Sequence, residues 1–336
     1  MRKMTSHGEI IPCYYPTNVA AVDDESYFLR CLNDILFHDV CYMPYITASS
    51  ALRHLNYSSN DEHFVKKTQS VDLKGITGDI HRFNQTTVLV VDYKMPDMNG
   101  LALCQKITNP NVKKVMLTGV ATQAEGEEAL NNNVIDFFLR KDDSECGAKL
   151  NSIINDYQYE HCTQQYLSLT ENKEQCPFIT DSTFINLYFS PMLAKYNIVE
   201  YYFEQLFDKH TQSFIPWSFV LIDSKGSAYR MNIFTDDIVN DLVKLCQGNQ
   251  VPTDVINMLD SRKLLLNFRK PNGGECKEWV DWYNCLEPAV KVTGKVPYYC
   301  TLSPVLISAD KQEKTVYSYQ DHIKKNDGYN IMQTLS

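Results

Sequence analysis

The sequence is short of most features that would take it out of the soluble globular classes. None of its 336 residues lie in an apolar run long enough to span a bilayer. Its start, MRKMTSHGEIIPCYY, has no signal-peptide core. Both absences lead to the expectation of a cytoplasmic protein with no membrane partner. Eleven cysteines occur without a CxxC pair or a Cys/His cluster at zinc spacing, so they read as reduced thiols and not as a disulfide frame. Excess positive charge is missing too. The net charge is −9, with 17 Lys and Arg against 22 Asp and Glu after residue 150 and 15 against 19 before it. Neither half therefore carries the bulk charge that dominates non-specific nucleic-acid binding, although a local patch stays open.

Apolar residues are plentiful, at 44% of a chain long enough for two domains. In the first half they fall into short β-branched runs that end in chemistry-bearing residues. TVLVVDYKMPDMNG (87–100) runs from a buried-type strand into Asp92 and then a loop punctuated by Pro and Gly. NVAAVDDE (18–25) ends in Asp23 and Asp24, KKVMLTG (113–119) in Thr118 and Gly119, and VIDFFLRKD (134–142) in Lys141. Helical patterns alternate with these strands, including Phe28, Cys31, Leu32 and Ile35 at helical spacing. Such alternation predicts βαβ units and a doubly wound parallel sheet, in which the carboxyl ends of all strands share one edge. Asp23, Asp24, Asp92, Thr118 and Lys141 then converge.

Three acids crowded together need a cation, and Mg²⁺ suits oxygen ligands of this kind. A carboxylate can attack phosphorus to form an acyl phosphate, while an ammonium and a hydroxyl hold the phosphoryl oxygens. Each part also has a plain structural explanation. A lone lysine or threonine is usually a solvated strand end, and an Asp pair can cap the following helix. Only the ordered set is specific.

That ordered set, an acidic pair, DxxMPxMxG, LTG and FFLRK, resembles the receiver domain of two-component response regulators over about residues 15 to 150. The resemblance implies a (βα)5 flavodoxin-like fold. It also implies Asp92 as phosphoacceptor, Mg²⁺ held by Asp23, Asp24 and Asp92, Thr118 as switch hydroxyl, Lys141 as phosphate-contacting lysine and Phe138 as switch aromatic. Implied partners are a sensor histidine kinase or phosphotransfer protein, and a second copy in a phosphorylation-dependent homodimer. Two features depart from the family pattern. Asp142 stands where proline usually follows the lysine, and residues 57–86 form an insertion expected to be a mobile loop.

The expected organisation is an N-terminal tail (1–16), a receiver (17–160) and a separate α+β output domain (168–336). In the latter, Ser190-Pro191 is expected to open a helix whose apolar face runs through Met192, Tyr196, Val199, Phe203 and Leu206. WSFVLIDSKGSAYRMNIF (217–234) reads as a hairpin, Thr235 as a helix cap, KLLLNF (263–268) as a strand, and the last 25 or so residues as loosely held. Asp223-x-Lys225 has the spacing of some metal-dependent nucleases, but a hairpin turn explains it. Arg262, Lys263, Arg269 and Lys270 could hold phosphates or RNA, although charges flanking a strand are ordinary. Trp279, Trp282 and Tyr283 suggest a packed helix face more than an exposed interface.

No helix-turn-helix, Walker, GGDEF, HD or EAL-like motif occurs, so DNA binding is not supported and a protein or RNA target is the expectation. A metal-dependent enzymatic output and a passive phosphate sink are the competing readings. VDYKMPDMNGL (91–101), followed by a C-terminal region with no known motif, further resembles a small group of receiver proteins that includes the response regulator of the Legionella quorum-sensing system, which would imply input from a quorum-sensing kinase.

Overall fold

The computed structural model describes residues 8–36, 40–57, 72–119, 123–165, 176–204, 216–248, 251–267, 283–307 and 316–333. Two large sheets and a two-stranded ribbon organise these residues.

The first sheet is built from β2 (Asn18–Val22), β3 (Cys41–Tyr45), β4 (Thr86–Val91), β5 (Lys113–Thr118) and β6 (Phe137–Arg140). All its pairings are parallel, in the order β3-β2-β4-β5-β6. Every residue of β2 and β4 is buried, as expected of strands covered on both faces. Successive residues serve opposite faces. Ala20, Val22, Leu89, Val91 and Met116 pack under α2 (Ala48–Tyr57), α4 (Gly100–Lys106) and α5 (Gln123–Asn131). Val19, Ala21, Val88, Val90, Val115 and Leu117 pack under α1 (Ser26–Ile35) and α6 (Cys146–Gln165). The one strand without a sequence signal, β3, contains Pro44. It is an edge strand in this sheet, where a missing N–H disrupts no ladder.

The second sheet is antiparallel and runs β1-β7-β8-β9-β13-β12. Its strands are β1 (Cys13–Tyr14), β7 (Ile198–Glu204), β8 (Trp217–Asp223), β9 (Ala228–Thr235), β12 (Val290–Thr293) and β13 (Pro297–Val305). A ribbon of β10 (Leu264–Leu266) and β11 (Leu286–Pro288), with α9 (Asp236–Gly248) and α10 (Thr253–Asp260), builds a core around Phe234, Leu265 and Tyr299. An aromatic core of Phe178, Phe184, Phe189, Tyr201 and Phe219 forms on the helical segment preceding β7. That segment comprises α7 (Ser182–Phe184), a π-helical turn (Ile185–Phe189) and α8 (Ser190–Lys195).

Several expectations change here. An α-helix does start at Ser190 with Pro191 in its first turn, but it continues a helical run that opens at Ser182, and it stops before Val199. Asn197 takes a left-handed φ of 52° and its N–H bonds the Ala194 carbonyl, ending the helix. IVEYYFE, rich in β-branched and aromatic residues, then forms β7. The segment expected as a tail supplies β1, with Ile10, Ile11, Tyr14 and Tyr15 buried in the second core. The expected loop 57–86 contains α3 (Leu73–Gly78) and buried Arg82 and Phe83, while residues 58–71 lie outside the described residues. The expected loose terminus forms α11 (Tyr319–Gln333), which packs on the edge strand β3 with Tyr319 2% exposed. Nine of the described cysteines are free thiols, but Cys285 is disulfide-bonded.

The second unit is therefore woven around the first. It takes a strand from before β2 and returns a helix to β3, and α6 serves both cores, with Leu150 and Ile154 in one and Tyr159 and Cys162 in the other. Among the described residues no helix is long and apolar enough to cross a membrane.

Candidate functional site

The chain steps from β2 outward to β3 and then back to β4, so the strand order reverses between β2 and β4. Ligands of open α/β sheets bind at the carboxyl ends of strands flanking such a point. Asp23 follows β2 and Asp92 follows β4, and their preceding residues Val22 and Val91 are paired in register. The Asp92 N–H donates to the Val22 carbonyl at 2.9 Å, which fixes the two loop starts side by side.

Lys141 reaches both acids from the end of β6. Its Nζ lies 2.5 Å from Asp23 Oδ2 and 2.9 Å from Asp92 Oδ1. Both carboxylates are buried, at 2% and 7% residue exposure. Burial works to lower the Lys141 pKa, but its bonds to Asp23 and Asp92 prevail and raise it, so the ammonium stays charged. Burial also pushes the Asp23 carboxyl up, even though Lys141 and the Glu25 N–H both bond it and Asp92 adds repulsion. The second Asp92 oxygen accepts the Lys94 N–H at 2.8 Å. A Cβ at Gly100 would collide with the Asp92 carbonyl, and the Gly100 N–H bonds Tyr93 O at 2.9 Å. Glycine there lets the loop after Asp92 fold back tightly onto α4.

The remaining sequence-derived residues divide. Thr118 is buried at the end of β5, with its carbonyl accepting the Lys141 N–H at 3.0 Å. Phe138 lies half-buried on β6, its ring against Gly126 of α5, where any Cβ would collide with it. Asp24 is exposed beside the site. Among the described residues no three His, Cys, Asp or Glu side chains form a ready metal cluster. Asp142, directly after Lys141, pairs its two oxygens with Arg140 at 2.8 and 2.6 Å. That bidentate contact brackets Lys141 from either side, although both partners are more than half exposed.

Two contacts have no periodic sequence signal. Tyr93 OH donates to Glu125 Oε1 at 3.0 Å, linking the loop after Asp92 to α5. Phe28 places its ring face 3.9 Å from Lys141 Nζ. In sequence Phe28 reads only as one position of an apolar helix stripe.

In the second unit, Arg262 is engaged by neighbouring acids and an amide. It bonds Asp236 at 2.8 Å, Asn240 at 2.6 Å and Asp260 at 3.4 Å, and its left-handed φ of 56° follows the end of α10. Lys263 is exposed, and Arg269 and Lys270 lie outside the described residues. The Asp223 carboxylate accepts the Lys225 and Ser227 N–H groups of its own turn, at 2.8 and 2.9 Å. Trp279 and Trp282 lie outside the described residues. Tyr283 is 47% exposed and bonds Asp254 at 2.7 Å.

The fold is thus of the receiver-like α/β class, a five-stranded parallel sheet with helices on both faces, joined to a second unit built on an antiparallel sheet. The chain resembles over its whole length the Legionella pneumophila response regulator LqsR. The two align with a TM-score of 0.72 at 22% identity, covering 97% of this chain and 99% of that one. A CheY-like receiver domain protein from Methanospirillum hungatei aligns over 44% of the chain at 23% identity, with a TM-score of 0.32. The BeF3-activated DrrB receiver domain aligns over 43% at 18% identity, with a TM-score of 0.30. No protein-family model and no curated protein sequence matches the chain.

Proposed function

We propose that the chain is a response regulator that accepts a phosphoryl group on Asp92 from a phosphohistidine of a sensor kinase or phosphotransfer protein. The observation that carries this reading is the pair Asp23 and Asp92 held around one ammonium, Lys141, at the sheet's topological reversal. A carboxylate oxygen of Asp92 forms a bond to phosphorus as the phosphorus–nitrogen bond of the donor breaks. The electron pair returns to the imidazole nitrogen, which takes up a proton.

The donor set fits Mg²⁺. Two buried carboxylates already direct oxygens at one cation, exposed Asp24 adjoins them, and Asp23 is raised despite Lys141. Asp23, Asp92 and Asp24 would hold the ion, which when bound neutralises the acids and the phosphoryl oxygens together. Lys141 then turns its donors from the carboxylates to the phosphoryl group, and the Thr118 hydroxyl supplies a second donor from β5. Phosphorylation adds about −1.5 to −2 charges at this point. Movement of Thr118 and Phe138 alters the face formed by α5, β6 and α6, which becomes a dimer contact. Its strand β6 is the edge of the sheet opposite β3, on which α11 packs. The second unit serves as output by binding protein or RNA, and the whole-chain likeness to a response regulator supports a signalling role in the cytoplasm.

The test is the solution mass of the full chain with Mg²⁺, before and after beryllofluoride, beside Asp92→Asn. A wild type that dimerises and a variant that does not is the expected result. A monomer under both conditions, with phosphorylation confirmed separately, overturns the dimer step. Absence of acid-labile phosphate on Asp92 overturns the reading as a whole.

A further inference from the structure

We propose that Phe28 is a positioning residue for the phosphoryl-transfer site, holding the Lys141 ammonium in place by a cation–π contact. The inference rests on the Asp92 reading above and deepens it.

Lys141 has a long flexible stem and a strongly hydrated head, so two hydrogen bonds alone leave it able to swing toward water. Here its ammonium has three neighbours: Asp23 Oδ2 at 2.5 Å, Asp92 Oδ1 at 2.9 Å and the Phe28 ring centroid at 3.9 Å. The Lys141 side chain is 20% exposed, so the ring acts on a partly desolvated charge, where such contacts are strongest. Phe28 cannot easily withdraw. It is the third residue of α1 and packs against the core that Leu29, Leu32, Leu150 and Ile154 form. Helix α1 begins three residues after Asp23, so one short segment supplies both a carboxylate partner and the ring face. The ring's negative face attracts the ammonium without accepting a hydrogen bond. Its donors therefore remain available for the carboxylates and, after transfer, for phosphoryl oxygens.

The contact distinguishes Phe28 from an ordinary core residue, because leucine would fill much of the space while giving no negative face. The experiment uses the full chain with saturating Mg²⁺ and phosphoramidate as phosphodonor, and follows formation of acid-labile phosphate. It compares wild type, Phe28→Leu, Phe28→Tyr and the chain carrying pentafluorophenylalanine at position 28, which keeps the ring shape but reverses its quadrupole. The expected result is a loss of about three- to thirty-fold in phosphorylation rate for Phe28→Leu and the fluorinated ring, with Phe28→Tyr near wild type. Beryllofluoride affinity should weaken in the same two proteins.

An unchanged rate with the fluorinated ring overturns the proposal, as does a Phe28→Tyr rate as low as that of Phe28→Leu, since either outcome makes the role one of packing. If Phe28→Leu does not fold, the fluorinated ring still decides. A wild type that takes no phosphate on Asp92 would instead defeat the underlying functional reading, so the two failures are distinguishable.

Discussion

Arg82 and Glu200, 118 positions apart, form a two-pronged ion pair buried between the units, with Nη2–Oε1 at 2.9 Å and Nε–Oε2 at 3.3 Å. Their side chains are 2% and 0% exposed. Arg82 also donates to the Thr77 and Asp79 carbonyls, and Tyr202 OH donates to Glu200 Oε2, so neither charge is left bare. Removing one member strands the other in a dry site. Arg82→Met should destabilise the protein by about 3–5 kcal/mol. Arg82→Met with Glu200→Leu should recover much of that loss, and urea unfolding of the three proteins would measure both effects. A double variant as unstable as the single one would contradict the ion-pair account.

The same junction buries His322, whose ring bonds Asn18 Oδ1 at 3.0 Å and stacks on Tyr319. Burial, with smaller repulsion from Lys325 and Arg82, lowers its pKa from 6.5 to about 4, and burial does the same to His161. The unfolded chain binds protons near pH 6.5 that the folded protein refuses until about pH 4. Stability is therefore full above the unfolded value and falls as pH drops from about 6.5 toward 4, by up to about 3 kcal/mol per histidine. Urea midpoints between pH 7.5 and 5 should show this slope, and His322→Gln should make it shallower. A flat wild-type profile would count against it.

Lys141→Ala leaves two buried acids facing each other. Without divalent ions the variant should lose about 1–3 kcal/mol of stability, and added Mg²⁺ should raise its melting temperature more than it raises that of the wild type. Equal Mg²⁺ responses in the two proteins would mean that ammonium and metal do not share the carboxylates.

Asp181 joins two elements of the second unit. One oxygen accepts the Thr183 and Phe184 N–H groups at the start of α7, and the other accepts Tyr298 OH and the Lys295 N–H of the β12–β13 hairpin. Asp181→Ala should cost about 2–4 kcal/mol, combining a lost cap with unsatisfied donors, while leaving Asp92 phosphorylation intact. Thermal unfolding and phosphoramidate labelling check the two halves of that statement.

Deleting residues 1–16 should do more than trim a tail. It removes β1 together with buried Ile10, Ile11, Tyr14 and Tyr15. Hydrogen exchange around Tyr201–Phe203 of β7 should rise, because that stretch loses its outer neighbour among the described residues. For the same reason residues 168–336 alone are a poor test of any activity of the second unit.

The acidic site was legible in the linear chain because its signals are local. Each β-branched run ends in a polar residue of the candidate site, and strand order alone brings Asp23, Asp92, Thr118 and Lys141 to one edge. The α8 reading failed for an equally local reason: Met192, Tyr196, Val199 and Phe203 match a helical period, but Asn197 breaks the backbone between them. The tail and the C-terminus misled because β1 and α11 are short or polar and gain their order from partners far away in sequence.

The sequence by itself determined the doubly wound sheet and the residues at its carboxyl edge, since hydrophobic period and strand-end chemistry are encoded within a few neighbouring positions. Tertiary structure alone decided that Phe28 lies over Lys141, that Arg82 meets Glu200, and that the second unit wraps the first through β1 and α11. Those contacts join positions more than a hundred residues apart, and no local pattern specifies which distant partner will bury a ring or neutralise a charge.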